Sequence, residues 1–199
     1  MTGSEHVDPK AEEDWHYRSL DVVESFSPGA PIDDLDLLAG RVQELRQMVD
    51  AVVQRGHHAI LYGERGVGKS SLANTFSVRL ISPTRNRVAI SVRCDPSDDF
   101  SAIWHKVFRR LPQRSTNPLP IGILPDDVVV ELQTFDLNTV PIIILDEFDK
   151  VQDEDAKVLT SNLIKSLSDD SVRATIIVVG VADSVDQLLV ELNRFAVVV

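Results

Sequence analysis

A short apolar run ending in a glycine-rich turn, a helical face directly behind it, and two further alternations of apolar run and helical face predict an α/β fold. The expected architecture is a three-layer αβα sandwich around a parallel sheet. Parallel strands covered on both faces read as continuous apolar runs, and each return to the sheet needs a helical, right-handed crossover.

Residues 1 to about 14 are polar and acidic, and Ser27-Pro28-Gly29-Ala30-Pro31 forbids regular helix, so 1–30 is expected to be a flexible or irregular segment, with the folded domain spanning 31–199. From Arg41, the apolar positions Val42, Leu45, Val49 and Val52 trace one helical face, which Gly56 is placed to stop. Residues 59–62 form a strand-like run, and Leu72, Phe76 and Leu80 recur at helical spacing after the glycine-rich turn. The β-branched stretch 87–93 reads as a second strand, followed by a helix with the face Phe100, Ile103, Trp104, Val107, Phe108 and Leu111. Four prolines mark 112–125 as a connection, with a short helix over 126–135. The run 141–145 is too short for an independent helix and is expected as a central strand. Ala156, Leu159, Leu163 and Leu167 make the next helical face, 175–181 another buried strand, and Val185, Leu188, Leu189 and Leu192 a last helix.

A length of 199 residues suits one domain, and 43% apolar with 26% charged residues is the balance of a globular protein. The formal charge of -11 repels phosphate backbones at long range, which disfavours direct nucleic-acid binding; Arg109, Arg110 and Arg114 read as a solvated basic face. Cys94 is the one cysteine, which excludes an internal disulfide and fits a reducing compartment. No apolar run approaches the roughly 20 residues that span a bilayer, and the N-terminus lacks signal-peptide character, so a cytoplasmic chain without a membrane partner is expected.

Gly63-Glu64-Arg65-Gly66-Val67-Gly68-Lys69-Ser70 fits G-x-x-x-x-G-K-[ST], placed between strand and helix as that pattern requires. Glycines let the backbone curl with its N–H groups inward, and the helix that begins around Ser70 and Ser71 adds a positive dipole end, so the loop is an anion cradle. Lys69 is expected on the β- and γ-phosphates of ATP, and the Ser70 hydroxyl on Mg2+. Asp146 and Glu147 follow the central strand at its C-terminal end, the edge where open parallel sheets bind ligands. Asp146 is expected to hold magnesium, and Glu147 to orient and deprotonate the attacking water.

These two stretches resemble the Walker A and Walker B motifs of the P-loop ATPases. Leu38-Ala39-Gly40-Arg41-Val42-Gln43-Glu44-Leu45, some two dozen residues ahead, is similar to the hydrophobic-Gly-Arg-x-x-Glu stretch of AAA+ proteins of the origin-recognition and STAND groups. The resemblance covers about 34–184. It implies a sheet of order 5-1-4-3-2, with 59–62 as the first strand and 141–145 as the third. It also implies an adenine pocket around 31–41, with Gly40 and Arg41 as candidate nucleotide-binding residues; Arg41 reads equally as a helix-start arginine in a surface ion pair. Relatives carry a polar sensor after the fourth strand, for which Asp183 and Ser184 stand here, though Asp183 is also placed to cap the last helix. The arginine finger and helical lid of relatives have no counterpart up to Val199; Arg194 reads as a helix-end residue. His57 and His58 read as turn residues, Trp104 and Phe108 as core, His105 as solvent-facing, and Cys94 as a small buried apolar residue.

The function that follows is binding and hydrolysis of Mg-ATP by an AAA+/STAND-like ATPase acting as a conformational or assembly switch, with a homo-oligomer or partner protein expected. The other readings are a nucleotide-binding interaction module without turnover, and the ATPase of a DNA replication or transposition loader.

Overall fold

A computed structural model describes residues 41–77, 87–112, 120–134, 139–170, 172–181 and 195–198. Helix α1 (Val42–Val53) precedes β1 (His58–Leu61), and α2 (Lys69–Thr75) follows the glycine-rich turn. Next come β2 (Arg87–Arg93), α3 (Phe100–Arg110), α4 (Pro125–Gln133), β3 (Val140–Asp146), a 3-10 turn (Phe148–Lys150), α5 (Glu154–Asp169), β4 (Thr175–Val179) and β5 (Phe195–Val198). The sheet order is β2-β3-β4-β1-β5 with every pairing parallel, which read from its other edge is the expected 5-1-4-3-2.

The alternation of side chains along each strand divides the core between two faces. Ile60, Ile90, Val92, Ile143, Leu145, Ile176 and Val178 pack under α3, α4 and α5. Ala59, Leu61, Ile142, Ile144, Ile177 and Val179 pack under α1 and α2. Both faces of β1, β3 and β4 are therefore dry, which is why their sequences are continuously apolar. Trp104 and Phe108 are fully buried in a tilted ring pair 5.6 Å apart, as the helical spacing predicts. Asp99 caps α3 by accepting the Ala102 N–H at 2.7 Å, and Asp153 caps α5 through Asp155 N–H at 3.0 Å.

Two expectations need correction. His58 is a fully buried strand residue, not a turn residue: its Nδ1 accepts the Ile176 N–H at 3.0 Å, and burial, with the nearby His57 charge second, lowers its pKa to about 3. His105 is half-buried instead of solvent-facing. Residues 195–198, to which the sequence pattern assigns no element, form β5, the fifth strand that the resemblance implies; Phe195 pairs with His58 and Val198 with Leu61. Cys94 is buried as expected, and burial pushes its thiol up to about 12. Leu80, Arg114, Asp183, Ser184, Arg194, the proposed last helix and everything before Arg41, Gly40 included, lie outside the described residues. Among the described residues no helix is long and apolar enough to cross a membrane.

Candidate functional site

The site forms at the C-terminal edge of the sheet, where β1 and β3 both end facing the start of α2. The loop after β1 turns through Gly63, Gly66 and Gly68, and the last two have φ of 89° and 85°. A Cβ at either would meet nothing within 4 Å, so glycine is required there by the left-handed backbone and not by space. Gly68 then caps α2 directly, bringing the first free N–H groups of that helix to the cavity edge.

Lys69 is 8% exposed, and its Nζ donates to the carbonyls of Gly63 (2.9 Å) and Glu64 (2.7 Å). The ammonium thus folds back over its own loop. Desolvation lowers its pKa, opposed by the charges of Asp149 and Asp146 and reinforced by Arg41. One residue on, the Ser70 hydroxyl donates to Asp146 Oδ1 at 2.8 Å, although 76 positions separate them in the chain. The same carboxylate oxygen accepts the Glu147 N–H at 2.9 Å, and the Cys94 N–H takes the Asp146 carbonyl at 2.8 Å, prolonging the β2–β3 ladder past its last pair, Arg93 and Asp146.

Glu147 is the one non-glycine residue with positive φ (56°) among those described, and it opens the 3-10 turn. Its carboxylate is held by three donors: Arg93 Nε to Oε2, Arg93 Nη2 to Oε1 at 2.6 Å, and Lys150 Nζ to Oε2 at 2.7 Å. These hydrogen bonds, Arg93 first and Lys150 second, lower its pKa to about 2. Asp149, in the same turn, accepts the Val181 N–H at 2.9 Å and so ties the end of β4 to the carboxylate cluster.

Together these groups enclose an open cavity of about 490 Å³. Arg65, Gly66, Gly68, Lys69, Ser70 and Ser71 line one side of it, and Asp146, Glu147, Asp149 and Lys150 line another. Gly63, Glu64 and Val67 do not line it; they offer backbone carbonyls to Lys69 and Arg41. Arg41 itself, at the start of α1, donates to Glu44 Oε1 (2.9 Å) and to the Val67 carbonyl (2.7 Å), combining the surface ion pair with a contact to the loop. Arg93, Asp149 and Lys150 were not singled out from the sequence. The β2–β3 neighbourhood implied by a 5-1-4-3-2 sheet already places Arg93 beside the carboxylates, which is the signal that could have found it.

Ser70 Oγ and Asp146 Oδ1 are hard oxygen donors already within hydrogen-bond distance of each other at the cavity, which fits magnesium completed by phosphate and water oxygens. Among the described residues no three His, Cys, Asp or Glu side chains gather into an all-protein metal cage.

A parallel 5-1-4-3-2 sheet carrying this loop and this strand-end carboxylate defines a P-loop nucleoside triphosphatase of the AAA+ type. The AAA domain family matches residues 53–189, and the chain belongs to that family. A stretch of 65 residues is 35% identical to the AAA+ ATPase ClpV1 of Pseudomonas aeruginosa, covering 32% of this chain and 7% of that protein. In fold, the chain is similar to Cdc6p of Pyrobaculum aerophilum (TM-score 0.61, 18% identity, 89% of this chain and 48% of that one). It is likewise similar to the ORC2 protein of Aeropyrum pernix in ADPNP–ADP complexes (TM-score 0.57, 15% identity, 87% and 50%). The chain therefore spans about half the length of these solved proteins and a small part of ClpV1.

Proposed function

We propose that this domain binds Mg-ATP at the loop 63–70 and hydrolyses it, and that nucleotide state changes the conformation or assembly of the protein. The observation that carries the reading is the Ser70–Asp146 hydrogen bond at 2.8 Å, beside Lys69, because it joins the two motif segments at one point of the cavity. Lys69 would exchange its loop carbonyls for β- and γ-phosphate oxygens, and the N–H groups at the start of α2 would take the remaining charge. Ser70 and Asp146 would hold magnesium, which when bound neutralises developing phosphate charge. Glu147 would orient the attacking water and accept its proton, a task for which the carboxylate must first part from Arg93 and Lys150.

Calorimetry with ATP and magnesium on the wild-type chain and Lys69→Ala tests binding; phosphate release from wild type and Glu147→Gln tests turnover. Heat of association lost in Lys69→Ala, with release lost in Glu147→Gln, is expected. Equal background release in both proteins, with binding intact, would instead assign the domain to nucleotide-stabilised interaction without turnover. A salt-dependent shift of duplex DNA would favour the DNA-loader reading.

A further inference from the structure

Val67 lies between two glycines of positive φ, and a trans peptide points its C=O and N–H in opposite directions. The peptide joining Val67 to Gly68 therefore has two orientations: one sends the Gly68 N–H toward the cavity that Gly68 lines, and the other sends it away. Rotating it reverses the sign of φ at Gly68, which glycine tolerates at either sign, so the loop's own sequence does not choose between them. The choice is made from outside. Arg41 Nη2 donates to the Val67 carbonyl at 2.7 Å, while Nη1 of the same guanidinium is anchored on Glu44 at 2.9 Å. Arg41 and Glu44 are 28% and 14% exposed, so their ion pair is partly shielded from water, while the bond to Val67 lies at the surface. A planar guanidinium can hold both acceptors in one rigid fork, which an ammonium cannot.

We infer that Arg41 is a positioning residue for polyphosphate, holding the Val67–Gly68 peptide with its N–H toward the anion, and that it does not select the base. The inference rests on the proposed nucleotide site and adds a role for α1, whose first turn supplies both members of the brace. The charge of Arg41 also reaches Lys69, so a second cation stands behind the loop that receives the anion.

The test is the affinity of the full chain for ATP, GTP and inorganic tripolyphosphate, each with magnesium, measured by calorimetry. Arg41→Ala is expected to weaken all three by one common factor of about tenfold, the worth of a single charged hydrogen bond. Arg41→Lys should recover part of that loss for all three, and Glu44→Gln should weaken all three about threefold. A loss confined to ATP would make Arg41 a reader of adenine and overturn the inference, as would unchanged affinities. Should Arg41→Ala not fold, Arg41→Lys and Glu44→Gln decide by the same criterion. Lys69→Ala keeps the two readings apart: if it binds ATP normally, the nucleotide site itself is misplaced. If Lys69→Ala loses binding while Arg41→Ala keeps it, the brace alone is wrong.

Discussion

The guanidinium of Arg93, the last residue of β2, spans both carboxylate oxygens of Glu147, one residue past the end of β3. The parallel register that sets Arg93 opposite Asp146 brings the two side chains within reach of each other once both strands are in place. It leaves the carboxylate with a pKa of about 2, far below that of a base suited to neutral pH.

Arg93→Ala, which removes the larger cause of the lowered Glu147 pKa, is therefore expected to raise phosphate release severalfold at pH 7. Because Arg93 is mostly exposed, its ion pair is screened by salt, and raised ionic strength should narrow the gap between wild type and variant. A variant no faster than wild type at any salt concentration would show that Glu147 is not restrained by Arg93.

Lys69→Ala should weaken ATP about 100-fold, since charge-assisted contacts to two phosphates are lost together. Competition between ATP and a fluorescent analogue measures this directly. A change under threefold would contradict the role given to the ammonium.

Ser70→Ala removes one of two oxygens that meet at 2.8 Å, and Asp146→Asn removes the negative charge on the other. Each variant is expected to abolish the gain in ATP affinity on adding magnesium, and the double variant should be little worse than either single one, because the pair acts as a unit. Additive losses in a double-mutant cycle would separate the two residues.

His58 carries a pH prediction. Its folded pKa of about 3 lies below the usual 6.5, so the unfolded chain binds the proton more readily and stability rises with pH across this window. The contribution is complete above pH 6.5 and falls away toward pH 3, a loss of about 2 kcal/mol between pH 6.5 and 5. Urea melts at both pH values measure it. His58→Asn, which can offer an oxygen to the Ile176 N–H without titrating, should show a flatter profile; an identical slope would absolve His58.

Local pattern made much of this legible. The bounds of β2 follow from its β-branched stretch, and the apolar face of α3 from its 3.6-residue spacing. The glycine-rich loop and the Asp146–Glu147 pair stand out because each is a run of adjacent residues, and residues of both line one cavity. The burial of His58 is hidden because two adjacent histidines look polar, and its partner Ile176 lies 118 residues away. The position of β5 is not marked by local pattern, because a four-residue strand is defined by its pairing with β1. Likewise, the grip of Arg93 on Glu147 and of Arg41 on Val67 spans 54 and 26 positions and requires the assembled sheet and helix layer.

Since β1 has a parallel partner on each side, β4 and β5, it cannot slip by one residue without breaking two ladders and turning Ala59 and Leu61 out of one core and Ile60 out of the other. The takeoff point of the glycine-rich turn is accordingly locked by its neighbours' registers. Such a turn can be soft in its middle and still start from an unmoving root, so its adaptability is confined to the few peptides between Leu61 and Lys69.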